Sequence, residues 1–61
     1  MQVRDLLRVL HNDGWEVVRI RGSHRQLKHA VKRGKVTVAG HPSDEVPPGT
    51  LKQILRQAEL E

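Results

Sequence analysis

Two apolar stripes set the terms for this chain. Val3, Leu6, Leu7 and Leu10 near one end, and Leu51, Ile54, Leu55 and Ala58 near the other, each fall at i, i+3, i+4 and i+7. That spacing gathers them on one side of an α-helix. Each stripe must bury against something, and the β-branched stretches lie between them. Trp15–Arg21 reads as a strand, Arg21-Gly22-Ser23 as a turn and His24–His29 as a second strand. Ala30–Gly34 is a basic connection to a third strand at Lys35–Ala39, and Gly40–Val46 is a loop punctuated by Pro42 and Ser43-Asp44. Asp13-Gly14 stops the first helix, because glycine accepts a left-handed backbone without a Cβ clash. Pro47-Pro48-Gly49-Thr50 opens the last one, with Thr50 and Gln53 at capping-box spacing and proline suited to the first turn. The expected fold is α+β, an α-β-β-β-α order in which both helices cover one face of a three-stranded antiparallel sheet. We expect a single domain over residues 1–61.

A domain of this size buries only about 60% of its unfolded surface, so the core is thin. Cysteine is absent, which removes disulfide staples and the usual structural zinc sites. No apolar run approaches ~18 residues and no signal-peptide core follows Met1, so the expected setting is the cytoplasm, away from membranes. Any chemistry is expected on an exposed face, acting on something large.

The charge points to the kind of target. Lys and Arg number 11 against 7 Asp and Glu. From Arg19 to Lys35 run seven bases (Arg19, Arg21, Arg25, Lys28, Lys32, Arg33, Lys35) with no acid, whereas residues 1–18 carry net −1 and residues 36–61 net −2. A basic middle between acidic ends is the footprint of a nucleic-acid binder. Trp15 is the one aromatic residue, so base-stacking platforms of the single-strand-binding kind are excluded. Trp15 reads as a core anchor.

Side chains alternate along a strand, and parity sorts them. On the first strand Val18 and Ile20 are expected toward the helices, with Arg19 and Arg21 outward. On the third, Val36 and Val38 face in, with Lys35 and Thr37 out. Leu27 sets the second strand, so Arg25 and His29 share its side, and His24, Gln26 and Lys28 occupy the open face. This assumes unbroken alternation; a bulge near Ser23 would reverse it.

His24 is the candidate for chemistry. A neutral imidazole among cations can take a proton from a ribose 2′-hydroxyl while Arg and Lys stabilise charge developing on phosphate. The bland alternative is a polar residue on a solvated strand. Ser23 could donate to a phosphate, and Gly22 would let one approach closely. His41, before Pro42, is a secondary candidate; His11 suits the C-terminal end of the first helix, and His29 is placed to cap the hairpin. No metal site is expected: His24 and His29 are five apart, on opposite strand faces, and no carboxylate cluster suits Mg²⁺.

These residues also carry a family likeness. Gly14-Trp15, Val18-Arg19 and Arg21-Gly22-Ser23-His24-Arg25-Gln26-Leu27-Lys28-His29 resemble the HicA (YcfA-like) toxin family. Val36-Thr37-Val38, His41-Pro42, Val46-Pro47-Pro48-Gly49-Thr50-Leu51 and Ile54-Leu55-Arg56-Gln57-Ala58 extend the resemblance over nearly the whole chain. It implies a double-stranded-RNA-binding-domain-like fold and a metal-independent endoribonuclease without cofactor that cleaves mRNA. It also implies inhibition by a HicB-type antitoxin. The catalytic histidine it implies is His24; the basic segment and its glycine turn supply the RNA-binding candidates Arg19, Arg21, Gly22, Ser23, Arg25, Gln26, Lys28 and Lys35. Three positions depart from the family pattern: Arg25 stands where a second histidine is usual, Ala30 where proline is, and Glu59 where glycine is. The alternative is a non-catalytic RNA-binding module of the same fold.

Overall fold

The computed structural model describes residues 1–61 and has the order α1 (Val3–Asn12), β1 (Trp15–Arg21), β2 (His24–His29), β3 (Val36–Val38), α2 (Pro48–Gln57). The antiparallel sheet runs β1-β2-β3. Both helices lie on one face, α1 against β1 and α2 against β3. Between them Val3, Leu6, Leu10, Trp15, Leu27, Val36, Val38, Val46, Ile54 and Ala58 form the buried core, flanked by Leu7, Leu51, Leu55 and Leu60. The helical stripes therefore bury as their spacing requires. No helix is long and apolar enough to cross a membrane.

Neither helix begins with a side-chain cap. The first N–H groups of α1 are satisfied from far along the chain: Val3 donates to the Asp44 carbonyl at 2.9 Å and Arg4 to that of Pro42 at 3.0 Å. The Val46 N–H returns a bond to the Met1 carbonyl at 2.9 Å, and the terminal ammonium pairs with Glu45. At its other end α1 stops at Gly14, whose φ is +105°. A Cβ there would also meet His29 Nε2 at 2.7 Å, so glycine is required twice over.

Three expectations need correction. Val18 and Ile20 are not core residues; they are 57% and 65% exposed. The register slips between Val17 and Arg19, so Val18 is the extra residue of a β-bulge. Ile20 then pairs with Arg25 on the helix side but lies beyond the cover of the helices. The capping box at Thr50 does not form. Pro47 is the N-cap and Pro48 occupies the first turn, where its missing N–H costs nothing. Finally β3 is three residues, because Lys35 and Ala39 fall outside the ladder.

α2 ends in a Schellman motif. Leu60 N–H donates to the Leu55 carbonyl at 2.8 Å and Glu59 N–H to that of Arg56 at 3.0 Å. Glu59 pivots this turn at φ +57°, the one non-glycine residue with positive φ. Beside it, the Lys32 ammonium spends its three protons on three acceptors: Asp13 Oδ2 at 2.6 Å, the Ala58 carbonyl at 3.0 Å and the Glu59 carbonyl at 3.3 Å. A cation suits the carbonyl end of α2, and this one ties it to the end of α1.

Two outcomes follow for stability. A left-handed backbone costs a non-glycine residue about 1–2 kcal/mol, partly offset by the chain entropy glycine loses. Glu59→Gly should therefore raise the melting temperature, by roughly 4–8 °C for each kcal/mol relieved; an unchanged or lower value would remove the strain argument. The second concerns acid. The hydrogen bond from Lys32 holds the Asp13 carboxyl below its ordinary 3.8, against the opposing effect of burial and with lesser help from the Lys32 charge. A carboxyl lowered in the folded state adds stability above its unfolded pKa and loses it as pH falls through the folded one. Acid titration should show loss below about pH 3.8, and Asp13→Asn should flatten that limb. With the side chain 27% exposed, screening keeps the effect modest.

Candidate functional site

The open face of the sheet takes its phase from the bulge. Trp15 is buried, and strict alternation from it would turn Arg19 and Arg21 toward the core. The extra residue at Val18 resets the phase, so Arg19 pairs with Gln26 and Arg21 with His24 on the side away from the helices. The hairpin connection is two residues long. Gly22 takes φ +59° while Ser23 does not take a positive φ, the arrangement of a type II′ turn that keeps Arg21 and His24 directly opposite.

Next to that turn lies an open concavity of about 280 Å³, lined by Arg19, Arg21, His24, Gln26 and Thr37 with no hydrophobic side chain. Gln26 is the centre of a cross-strand row, Arg19–Gln26–Thr37, and His24 is two residues along the same strand, about 7 Å away on the same face. None of the five side chains hydrogen-bonds or ion-pairs with another protein group. Donors, acceptors and two guanidinium charges thus converge on one space with nothing in the protein to satisfy them. No carboxylate lines it, and His, Asp and Glu side chains nowhere gather in threes.

The other residues singled out from the sequence fall elsewhere. Lys28 is exposed on the same face opposite Glu16, one row beyond the concavity. Lys35 is exposed just before β3. Gly22 is exposed, with open space where a Cβ would be. Ser23 is half-buried, and its carbonyl accepts the Gly40 N–H at 3.2 Å. Arg25 shares the side of Leu27, and its Nη1 donates to the Gly40 carbonyl at 2.9 Å. It braces the loop behind the turn, on the face away from the concavity. His41 is exposed, its N–H donating to Asp44 Oδ2 at 2.9 Å, and it does not line the concavity. Thr37 is the residue missed. Alternation turned it outward, but its place beside His24 follows from its pairing with Gln26, which parity does not fix.

His29 is a structural histidine. The N–H groups of Val31 and Lys32 both donate to its Nδ1 at 3.0 Å, which assigns the ring proton to Nε2, and Nε2 donates to the Asp13 carbonyl at 2.6 Å. Its ring meets Trp15 edge-on, with centroids 5.3 Å apart at 68°. The buried Trp15 Nε1 has no partner of its own.

The family model described as HicA toxin of bacterial toxin-antitoxin matches residues 3–60. No curated protein matches the chain.

The two histidines of β2 should separate cleanly by melting. His24→Ala, on an exposed strand face, is expected to stay within about 0.5 kcal/mol of the parent. His29→Ala deletes three hydrogen bonds at a half-buried site and should cost about 2 kcal/mol. Equal losses would contradict the division of roles.

Proposed function

This chain belongs to the HicA toxin family, and from that premise we propose that it is a metal-independent endoribonuclease that cleaves mRNA with His24 as its proton acceptor. Its role is that of the toxin in a toxin–antitoxin pair, acting in the cytoplasm and held in check by a HicB-type antitoxin. The observation that supports the reading is the unpartnered His24 imidazole beside Arg19 and Arg21 in one open concavity.

The steps follow from those groups. Arg19 and Arg21 hold a phosphodiester by charge-assisted hydrogen bonds. His24 takes the proton of the adjacent ribose 2′-hydroxyl. The O2′–P bond forms as the P–O5′ bond breaks, and the 5′ oxygen leaves with a proton from water. The fragments are a 2′,3′-cyclic phosphate and a 5′-hydroxyl. The guanidinium groups stabilise the charge that builds on the phosphoryl oxygens. General-base assistance of this kind contributes about 10²–10⁴-fold. Lys28 and Lys35 extend the basic track for flanking phosphates, Gly22 and Ser23 leave the entrance clear, and Arg25 serves by bracing the Gly40 loop behind the turn.

The test is a cleavage assay on mRNA with the purified protein. Cutting should persist in EDTA, leave 2′,3′-cyclic phosphate ends, and fall at least ~100-fold in His24→Ala with the melting curve unchanged. Intact RNA despite binding would select the non-catalytic module. Activity abolished by chelation and restored by Mg²⁺ would refute the mechanism.

A further inference from the structure

The five residues around the concavity are not alike in chemistry. The β1 wall is cationic, with Arg19 and Arg21; the side toward β3 is neutral, with the Gln26 carboxamide and the Thr37 hydroxyl. A carboxamide can give its NH₂ to a phosphate, but its carbonyl oxygen then goes unused, and the two arginines already supply cationic donors on the opposite wall. A carboxamide and a hydroxyl each offer both a donor and an acceptor. The groups that match such a mixed array are the edges of nucleobases. Neither side chain has a partner within the protein, so both are free to bind.

Geometry places that neutral wall where a base would lie. Strands are about 4.8 Å apart, so Thr37 stands roughly 10 Å from Arg19 across the row, with Gln26 between them. A phosphate on the arginines leaves its nucleoside over Gln26 and Thr37, beside His24. The volume, about 280 Å³, lies at the lower end of small-ligand sites and suits one nucleotide unit. Stacking cannot supply discrimination, because the lone aromatic, Trp15, is fully buried. Bases in an A-form duplex also hide their major-groove edges from side chains.

We propose that Gln26 and Thr37 form a base-reading wall, which narrows the substrate class to single-stranded RNA with a preferred base at the nucleotide held beside His24. The inference rests on the ribonuclease reading for its choice of polymer, and binding tests it apart from cleavage.

The experiment measures binding of labelled hexanucleotide RNA homopolymers of A, C, G and U. The protein carries His24→Ala, so that nothing is cut, and each further variant is first checked by melting. The starting protein should prefer one base roughly 5- to 100-fold, the range that a good base-edge contact supplies. Adding Gln26→Ala should collapse the preference to about twofold while leaving the dependence of affinity on salt unchanged, because that dependence counts phosphate contacts. Gln26→Glu, which replaces the NH₂ donors with acceptors at constant size, should reorder the ranking, and Thr37→Val should weaken it. Equal affinity for all four polymers, no RNA binding, or an unaltered ranking in Gln26→Ala would overturn the proposal. A base preference in a protein that leaves mRNA intact would sustain this inference while removing the ribonuclease reading.

Discussion

One strand must satisfy two opposed demands. Trp15 opens β1 and is wholly buried, while Arg19 and Arg21, at even spacings from it, must face water. With a period of two these positions share a side, and burying two guanidinium groups without partners is prohibitive. The extra residue at Val18 resolves the conflict by breaking the phase once. Its local effects are visible: Val18 is pushed into solvent, and the strand beyond it runs past the cover of the helices, leaving Ile20 exposed. The open face, and the concavity with it, depends on this slip.

The thin core is supplemented by polar ties at its rim. Only ten residues are buried, none of them polar, and their apolar contacts do little to fix how the ends of α1, β2 and α2 meet. Directional bonds do that. Lys32 joins Asp13 to the last carbonyls of α2, and His29 joins Asp13 to the turn that carries Lys32. Basic residues in one uninterrupted run thus divide by task. Lys32 and Arg25 hold the fold together, while Arg19 and Arg21 are left without protein partners on the open face. Sequence charge alone makes no such distinction.

That division marks the limit of what the sequence discloses. The helices are legible because 3.6-residue periodicity is a strong local signal, and Gly14 and Gly22 announce their turns through backbone chemistry. His24, Gln26 and Lys28 are placed correctly because Leu27 anchors the phase of β2 and nothing interrupts it. β1 misleads because a bulge is a tertiary compromise between Trp15 and the arginines, and Val17-Val18 looks the same whether or not it bulges. The start of α2 misleads because Thr50 and Gln53 satisfy a capping pattern that Pro48 pre-empts with its fixed φ. Thr37 becomes a site residue only through the register of β2 with β3, which is set across a loop of irregular structure.

The start of α1 carries a consequence for how the molecule comes into being. Its first amide protons find acceptors at Pro42 and Asp44, about forty positions downstream. A ten-residue helix has little stability by itself in water, and its stripe buries only when Val36, Val38 and Ile54 are also in place. Without those residues α1 is not a durable helix, and the His24 hairpin has nothing to rest on. Residues as far along as Ile54 and Ala58 must be in place before the core can close. Helix, hairpin and loop thus become stable together, in one cooperative step.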